Sequence, residues 1–155
     1  MDKLIINKYP ELLVMGAIIE GVAVTLDIPD FLSEFENKIT RKYDISAIPE
    51  DPIIREYRKF FWSIGIDPTK ERPSSEALIR RILRGKGLYR INNIVDTMNI
   101  ISAYTGIVMS VFDLDKISLP VHLRAAEGTE KMRIIGGKEI TIPEGFPILT
   151  DNNNR

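Results

Sequence analysis

The chain of 155 residues has no cysteine and a single histidine, His122. These shortages exclude thiolate-ligated zinc, iron–sulfur clusters, thiol nucleophiles and any site that needs two histidines. No disulfide can staple the fold, and the lack of cysteine fits a reducing compartment. Long apolar runs are also missing: none approaches the roughly 18 to 20 residues of a membrane span. The N-terminal MDKLIINKYPELL has neither the basic nor the apolar segment of a signal peptide. The expectation is a cytoplasmic protein without membrane association.

What is present suits one ordinary domain over residues 1–155, with 44% hydrophobic and 28% charged residues, enough apolar side chain to build a core. Net charge is −1 and points to no polyanion by itself, but its distribution is uneven. Between Lys70 and Arg90 lie seven bases (Lys70, Arg72, Arg80, Arg81, Arg84, Lys86, Arg90) and two acids, Glu71 and Glu76, so this segment carries +5 and the rest −6. One-sided charge of this kind can draw an anionic ligand to a particular face.

Periodicity predicts the elements. ELLVMGAIIEGVAVTLDI, residues 11–28, is rich in Val, Ile and Leu and reads as one or two buried strands. PDFLSEFENKITRKY sets Phe31, Leu32, Phe35 and Ile39 at helical spacing behind a proline, with acids early and bases late. In EDPIIREYRKFFWSIGID, Asp51 can cap, Pro52 suits the first turn, Gly65 can stop the helix, and Ile53, Ile54, Tyr57, Phe61 and Ile64 are expected to form its buried face. After the loop DPTKERP, SSEALIRRILRGKG is expected to be a helix capped by Ser74 or Ser75. Leu78, Ile79, Ile82 and Leu83 face inward, the arginines face outward, and Gly85 and Gly87 end it. The longest predicted helix runs from about Asn92 to Tyr104 and ends at Gly106. Beyond it the period becomes two: IVMSVFDL, VHLRAA and FPILTD read as strands, with EGTE and IGGKE as hairpin turns. Strands, then helices, then strands define an α+β class, a mixed or antiparallel sheet packed with three to four helices.

Three groups of residues could carry chemistry. At about 100° per residue, Asn92, Asp96 and Asn99 share one face of the longest helix, opposite Ile91, Ile94, Val95, Met98 and Ile101. That stripe is a buried network with an Asn92 or Asn93 cap, the lining of a ligand cleft, or a solvated face. The second group is the helix start RPSS, where Arg72, Ser74 and Ser75 could hold a phosphate or carboxylate. Beyond it, Arg80, Arg81, Arg84 and Lys86 could meet a nucleic-acid backbone, or simply answer the helix dipole from a solvated face. The third comprises His122, which has no Ser or Asp partner in sight and reads as structural or exposed, and Asp113 with Asp115, which read as caps before cation ligands. No cofactor is implied.

RINNIVDTMNIISAYTGIVMSVFDLDKI, followed by LRAAEGTEKMRIIGGKEITI and ILTD, resembles the editing domain of the phenylalanyl-tRNA synthetase beta subunit over residues 88–151. RPSSEALIRRILRGKGL looks like free-standing relatives of that domain and extends the match back to about Tyr57. The resemblance implies a protein that binds the aminoacylated acceptor end of tRNA and, by analogy with the synthetase, an aminoacyl-tRNA deacylase acting on mischarged tRNA. It carries over Asn92, Asn93, Asp96, Asn99, Asp113 and Arg124 as framework and cleft residues. Ser110 stands where the synthetase domain has a pocket histidine, and Gly136 where it has an acidic turn residue. The chain ends at TDNNNR, about where the family continues into a second half, so the expectation is the first half of such a domain. The alternative is a non-catalytic module holding a small amino-acid-like or phosphate metabolite at Arg72, Ser74 and Ser75.

Overall fold

The computed structural model describes residues 8–10, 12–27, 29–133 and 137–153. The chain divides into two compact units: residues 20–111, and residues 112–155 together with the N-terminal residues up to 19.

The first unit is helical. Helix α1 spans Phe31–Lys42, α2 Pro52–Ser63, α3 Ser74–Leu83 and α4 Asn93–Thr105, with a 3-10 turn at Ile48–Glu50. Local signals explain most boundaries. The Asp51 carboxylate accepts the Ile53 and Ile54 N–H groups ahead of Pro52, whose missing N–H costs nothing at that position. Asn92 accepts the Val95 N–H at 2.9 Å to start α4. Gly106 ends α4 at φ 80°, and an added Cβ would come 3.4 Å from Ile53, so both conformation and space favour glycine.

The core of this unit joins Leu32 and Ile39 of α1, Ile48, Ile54 of α2, Ile79 and Ile82 of α3, Leu88, and Ile100 and Ala103 of α4. Full burial of each large aliphatic is worth about 1.5–3 kcal/mol, and here the contributions meet in one cluster. Phe35 adds an edge-to-face contact with Tyr104 at 4.9 Å. On α3, Ile79 and Ile82 are buried and Leu78 and Leu83 pack beside them, as the helical spacing predicts. On α2 only Ile54 of the expected buried face is fully buried; Tyr57, Phe61 and Ile64 are half-buried, and Ile53, at the edge of that face in the first turn, is exposed.

The second unit is built on β1 (His122–Ala125), β2 (Lys131–Arg133), β3 (Glu139–Thr141) and β4 (Pro147–Thr150). β1 pairs antiparallel with β4 and β2 with β3. His122 faces Thr150 and Lys131 faces Thr141, so the two ladders share one register and form a single hairpin interrupted midway. The interruption is EGTE on one side and Pro143–Gly145 on the other, clamped by Ala126 N–H to Phe146 O and Ile142 N–H to Glu130 O. EGTE therefore does not reverse the chain between paired strands, as its composition predicts, but bulges out of a continuing hairpin. The other expected turn, IGGKE, lies partly outside the described residues. The strands expected in VHLRAA and FPILTD are present.

Two expected strands are not. Residues 12–27 contain no strand, and Leu13, Met15 and Leu26 are 77%, 84% and 85% exposed. A strand exists only through its ladder, and among the described residues the cross-chain backbone pairing of this segment is confined to Asn93 at residues 23–25. IVMSVFDL is likewise irregular, ending in a 3-10 turn at Leu114–Lys116. Alternating apolar residues there satisfy the pattern of a strand without meeting a partner. The fold is nonetheless α+β, with four helices and antiparallel strands among the described residues.

Candidate functional site

The stripe on α4 faces the protein. Asp96 is 2% exposed and Ile100 and Ala103 beside it are in the core, whereas Ile101 and Tyr104 on other faces are exposed. The apolar content of this helix is so high that apolar side chains surround it, and packing against α1 and α3 selects the face that carries the polar groups. Each stripe residue near the helix start has a backbone task. Asn92 caps, and the Asp96 carboxylate accepts the Ile91 N–H at 2.9 Å, tying the entering chain to the first turn. Asn93 accepts the Thr25 N–H and donates to Ala23 O, both at 2.9 Å, while its own N–H donates to Thr25 O at 3.0 Å. One asparagine thus replaces a strand partner for residues 23–25. Asn99 differs: it is half-buried and its carboxamide has no hydrogen-bond partner among the described residues.

The arginines of α3 separate into two sets. Glu76, 0% exposed, receives Arg58 bidentately, Nε at 2.8 Å and Nη2 at 3.0 Å, and Arg80 Nε at 2.7 Å. Arg80 also donates to Ile45 O, and Arg72 stands 3.8 Å from the same carboxylate. Burial, the largest single influence, raises the Glu76 pKa, but the hydrogen bonds and charges of Arg58 and Arg80 together hold it below the ordinary glutamate value. The expectation that the arginines face outward therefore fails for Arg80, which turns inward because a buried carboxylate one helical turn earlier needs it. The expected serine cap fails as well: Pro73 occupies the cap position with no side-chain bond, Ser74 is exposed and Ser75 is fully buried. Arg72 is directed at the protein's own Glu76, and the charge expected to await an external anion is largely met internally.

The second set lies past the middle of α3. Arg84 and Lys86 are exposed and make no ion pair among the described residues, and the Arg81 guanidinium sits 3.8 Å from the centre of the Tyr89 ring. Arg90 is paired with Glu36, which also accepts the Leu88 N–H at 2.9 Å. Sequence reasoning missed Arg58 and Tyr89. The only signal for Arg58 is a charged residue at the edge of the α2 apolar face, and for Tyr89 an aromatic residue among bases.

Asp113 and Arg124, among the remaining candidates, serve local structure. Ser110 is exposed in the irregular stretch after α4. The Asp113 carboxylate accepts the Asp115 N–H at 3.0 Å and starts the 3-10 turn, which is the capping reading of this motif. Arg124 donates to Glu130 at 2.6 Å and to Ala125 O at 3.0 Å, while Glu130 also accepts the Glu127 N–H. The Arg124 hydrogen bond, and after it the Glu127 N–H, hold the Glu130 pKa down at about 2. Asp151, buried, accepts the Ser118 and Asn153 N–H groups and fastens the loop before β1 to the chain after β4. His122 is exposed on β1, and Gly136 lies outside the described residues. Asn92, Asn93, Asp96, Asn99 and Ser110 belong to the helical unit, Asp113 and Arg124 to the hairpin unit. Among the described residues no group of three His, Asp or Glu could hold a metal ion, and no helix is long and apolar enough to cross a membrane.

Among the described residues, four helices around an aliphatic core, an interrupted hairpin, and polar side chains spent on backbone groups define an α+β protein in which Arg84 and Lys86 face outward. The B3/4 domain family matches residues 56–155, and the chain belongs to that family. It is similar to the phenylalanine–tRNA ligase beta subunit of Aquifex aeolicus, 28% identical over 158 aligned residues that cover 91% of this chain and 20% of the ligase subunit. The corresponding subunit of Shewanella oneidensis is 34% identical over 70 residues, 45% of this chain and 9% of its own length. That of Fusobacterium nucleatum is 33% identical over 87 residues, 56% of this chain and 11% of its own. The chain thus spans a fifth or less of these relatives. No solved structure matches it.

Proposed function

We propose that this protein is a tRNA-binding module related to the phenylalanine–tRNA ligase beta subunit, and that it hydrolyses mischarged aminoacyl-tRNA in trans. The observation that carries the reading is similarity to such a subunit along 91% of the chain. The exposed, unpaired Arg84 and Lys86 support it, since phosphate contacts need cations not already consumed by the protein. Asp96, Asn92 and Asn93 frame the site: they hold the start of α4 and have little capacity left for a ligand. Asn99, half-buried with a free carboxamide, is the stripe residue able to meet an amino acid or an ordered water. Ester hydrolysis then depends on water oriented by polar groups or by the terminal ribose, because the described residues offer no activated nucleophile.

The test is a panel of mischarged tRNAs incubated with the protein, with release of the amino acid followed over time and tRNA binding measured against salt. Deacylation of at least one mischarged species above the spontaneous rate supports the proposal. Salt-dependent binding without hydrolysis would retain the tRNA module and remove the deacylase, and the absence of both would remove the whole reading.

A further inference from the structure

The C-terminal turn of α3 brings three cationic side chains, Arg81, Arg84 and Lys86, and the ring of Tyr89 onto one chain reversal. Lys86 N–H donates to Arg81 O and Gly85 N–H to Ile82 O, the paired bonds of a Schellman ending, with Gly85 in the left-handed region at φ 70°. This closure returns the chain to the level of Arg81, where Tyr89 meets the guanidinium at 3.8 Å. Leu88, 4% exposed and fixed through its N–H to Glu36, anchors the returning strand, so that its neighbour Tyr89 is turned outward and is 55% exposed.

A helix dipole accounts for cations at this end. It does not account for a large aromatic ring held half out of solvent by a buried neighbour and backed on the Arg81 side by a guanidinium. Nor are the cations spent: the acids of this region are already engaged, Glu76 by Arg58 and Arg80, and Glu36 by Arg90. Exposed ring, free cations and a rigid turn are the parts of a single-strand nucleic-acid platform, where a base stacks on the aromatic face and phosphates lie on the flanking bases.

We infer that this turn is a single-stranded RNA subsite in which Tyr89 stacks one base, Arg81 holds the ring in place, and Arg84 and Lys86 contact the flanking phosphates. The inference rests on the tRNA-binding reading above and assigns it a particular surface, from which Arg80 is excluded by its bond to Glu76.

The experiment is fluorescence anisotropy of the full chain with a short labelled single-stranded RNA and, separately, with whole tRNA. Tyr89→Ala is expected to weaken both by about 5- to 150-fold, the loss of one stacked base, while Tyr89→Phe binds like the wild type. Tyr89→Leu, which keeps an apolar side chain against Arg81, guards against a folding defect and is expected to weaken binding as Tyr89→Ala does. Arg84→Gln with Lys86→Gln should lower the salt slope for single-stranded RNA by about 1.4, from two phosphates at about 0.7 each. If the wild type binds RNA and both Tyr89→Ala and Tyr89→Leu bind equally well, this subsite is refuted and the tRNA reading stands. Wild-type protein that binds neither probe overturns both.

Discussion

Replacing Glu76 by Gln should be the most destabilising single polar substitution in the helical unit. The carboxylate is fully buried and is the counter-charge of Arg58 and Arg80, whose side chains are 19% and 15% exposed. Gln keeps the volume and one acceptor oxygen but removes the charge, leaving two guanidinium groups partly desolvated without their hydrogen-bonded counter-charge. Breaking a buried pair in this way costs about 3–5 kcal/mol. For a chain of this length each kcal/mol moves the melting temperature by about 2–4 °C, so a fall on the order of 6–20 °C is expected. The pH dependence provides a second readout. Because the folded pKa of Glu76 lies below its unfolded value, its stabilisation is fully present above about pH 4.3 and is lost as pH falls through the folded pKa. Urea denaturation followed by circular dichroism, repeated from neutral pH downward, measures both effects. Glu76→Gln should lower the midpoint at neutral pH and flatten the acid limb. A loss under about 1 kcal/mol, the general value of solvent-exposed ion pairs, would show that the cluster is effectively solvated and refute the argument.

Asp96→Ala should leave the Ile91 N–H without its acceptor and cost about 1–3 kcal/mol, read by chemical denaturation. A folded variant of unchanged stability that no longer binds tRNA would instead place Asp96 in contact with ligand. Asn93→Ala removes the side-chain partner of residues 23–25, and the Thr25 amide should then exchange with deuterium markedly faster while amides in the middle of α4 stay protected. Glu130 should titrate near pH 2 by carbon-detected NMR and move up toward the ordinary glutamate range in Arg124→Met. Its stabilisation, present above about pH 4.3, would be lost on acidification toward pH 2. A wild-type midpoint near 4 would mean that the Arg124–Glu130 bond is not maintained in solution.

Legibility in the sequence followed the range of the interaction. Asp51 ahead of Pro52, Asn92 ahead of the α4 apolar run, and Gly106 behind it act on backbone groups a few residues away, so residue type and spacing suffice to locate them. The apolar spacing of α1 and α3 likewise identifies Leu32, Ile39, Ile79 and Ile82 as core, since a helix offers one face for burial at a time. Residues 12–27 show where that reasoning ends. Their composition is that of a strand, but a strand needs a second chain segment, and composition does not say which segment arrives.

By itself, the sequence determined the α+β class, the helices and most of their ends, though not the start of α3, the exclusion of thiolate and two-histidine chemistry, and the motifs shared with the B3/4 family. Only the tertiary structure decided that the polar stripe of α4 points into the protein, because nearly every face of that helix is apolar enough to bury and the neighbours α1 and α3 chose. It alone decided which arginines are free. Arg80 and Arg84 are equivalent as letters one turn apart, but a buried carboxylate lies within reach of the first and open solvent lies before the second. Charge in a sequence is a count, whereas charge at a surface is what remains after the buried groups have been paired.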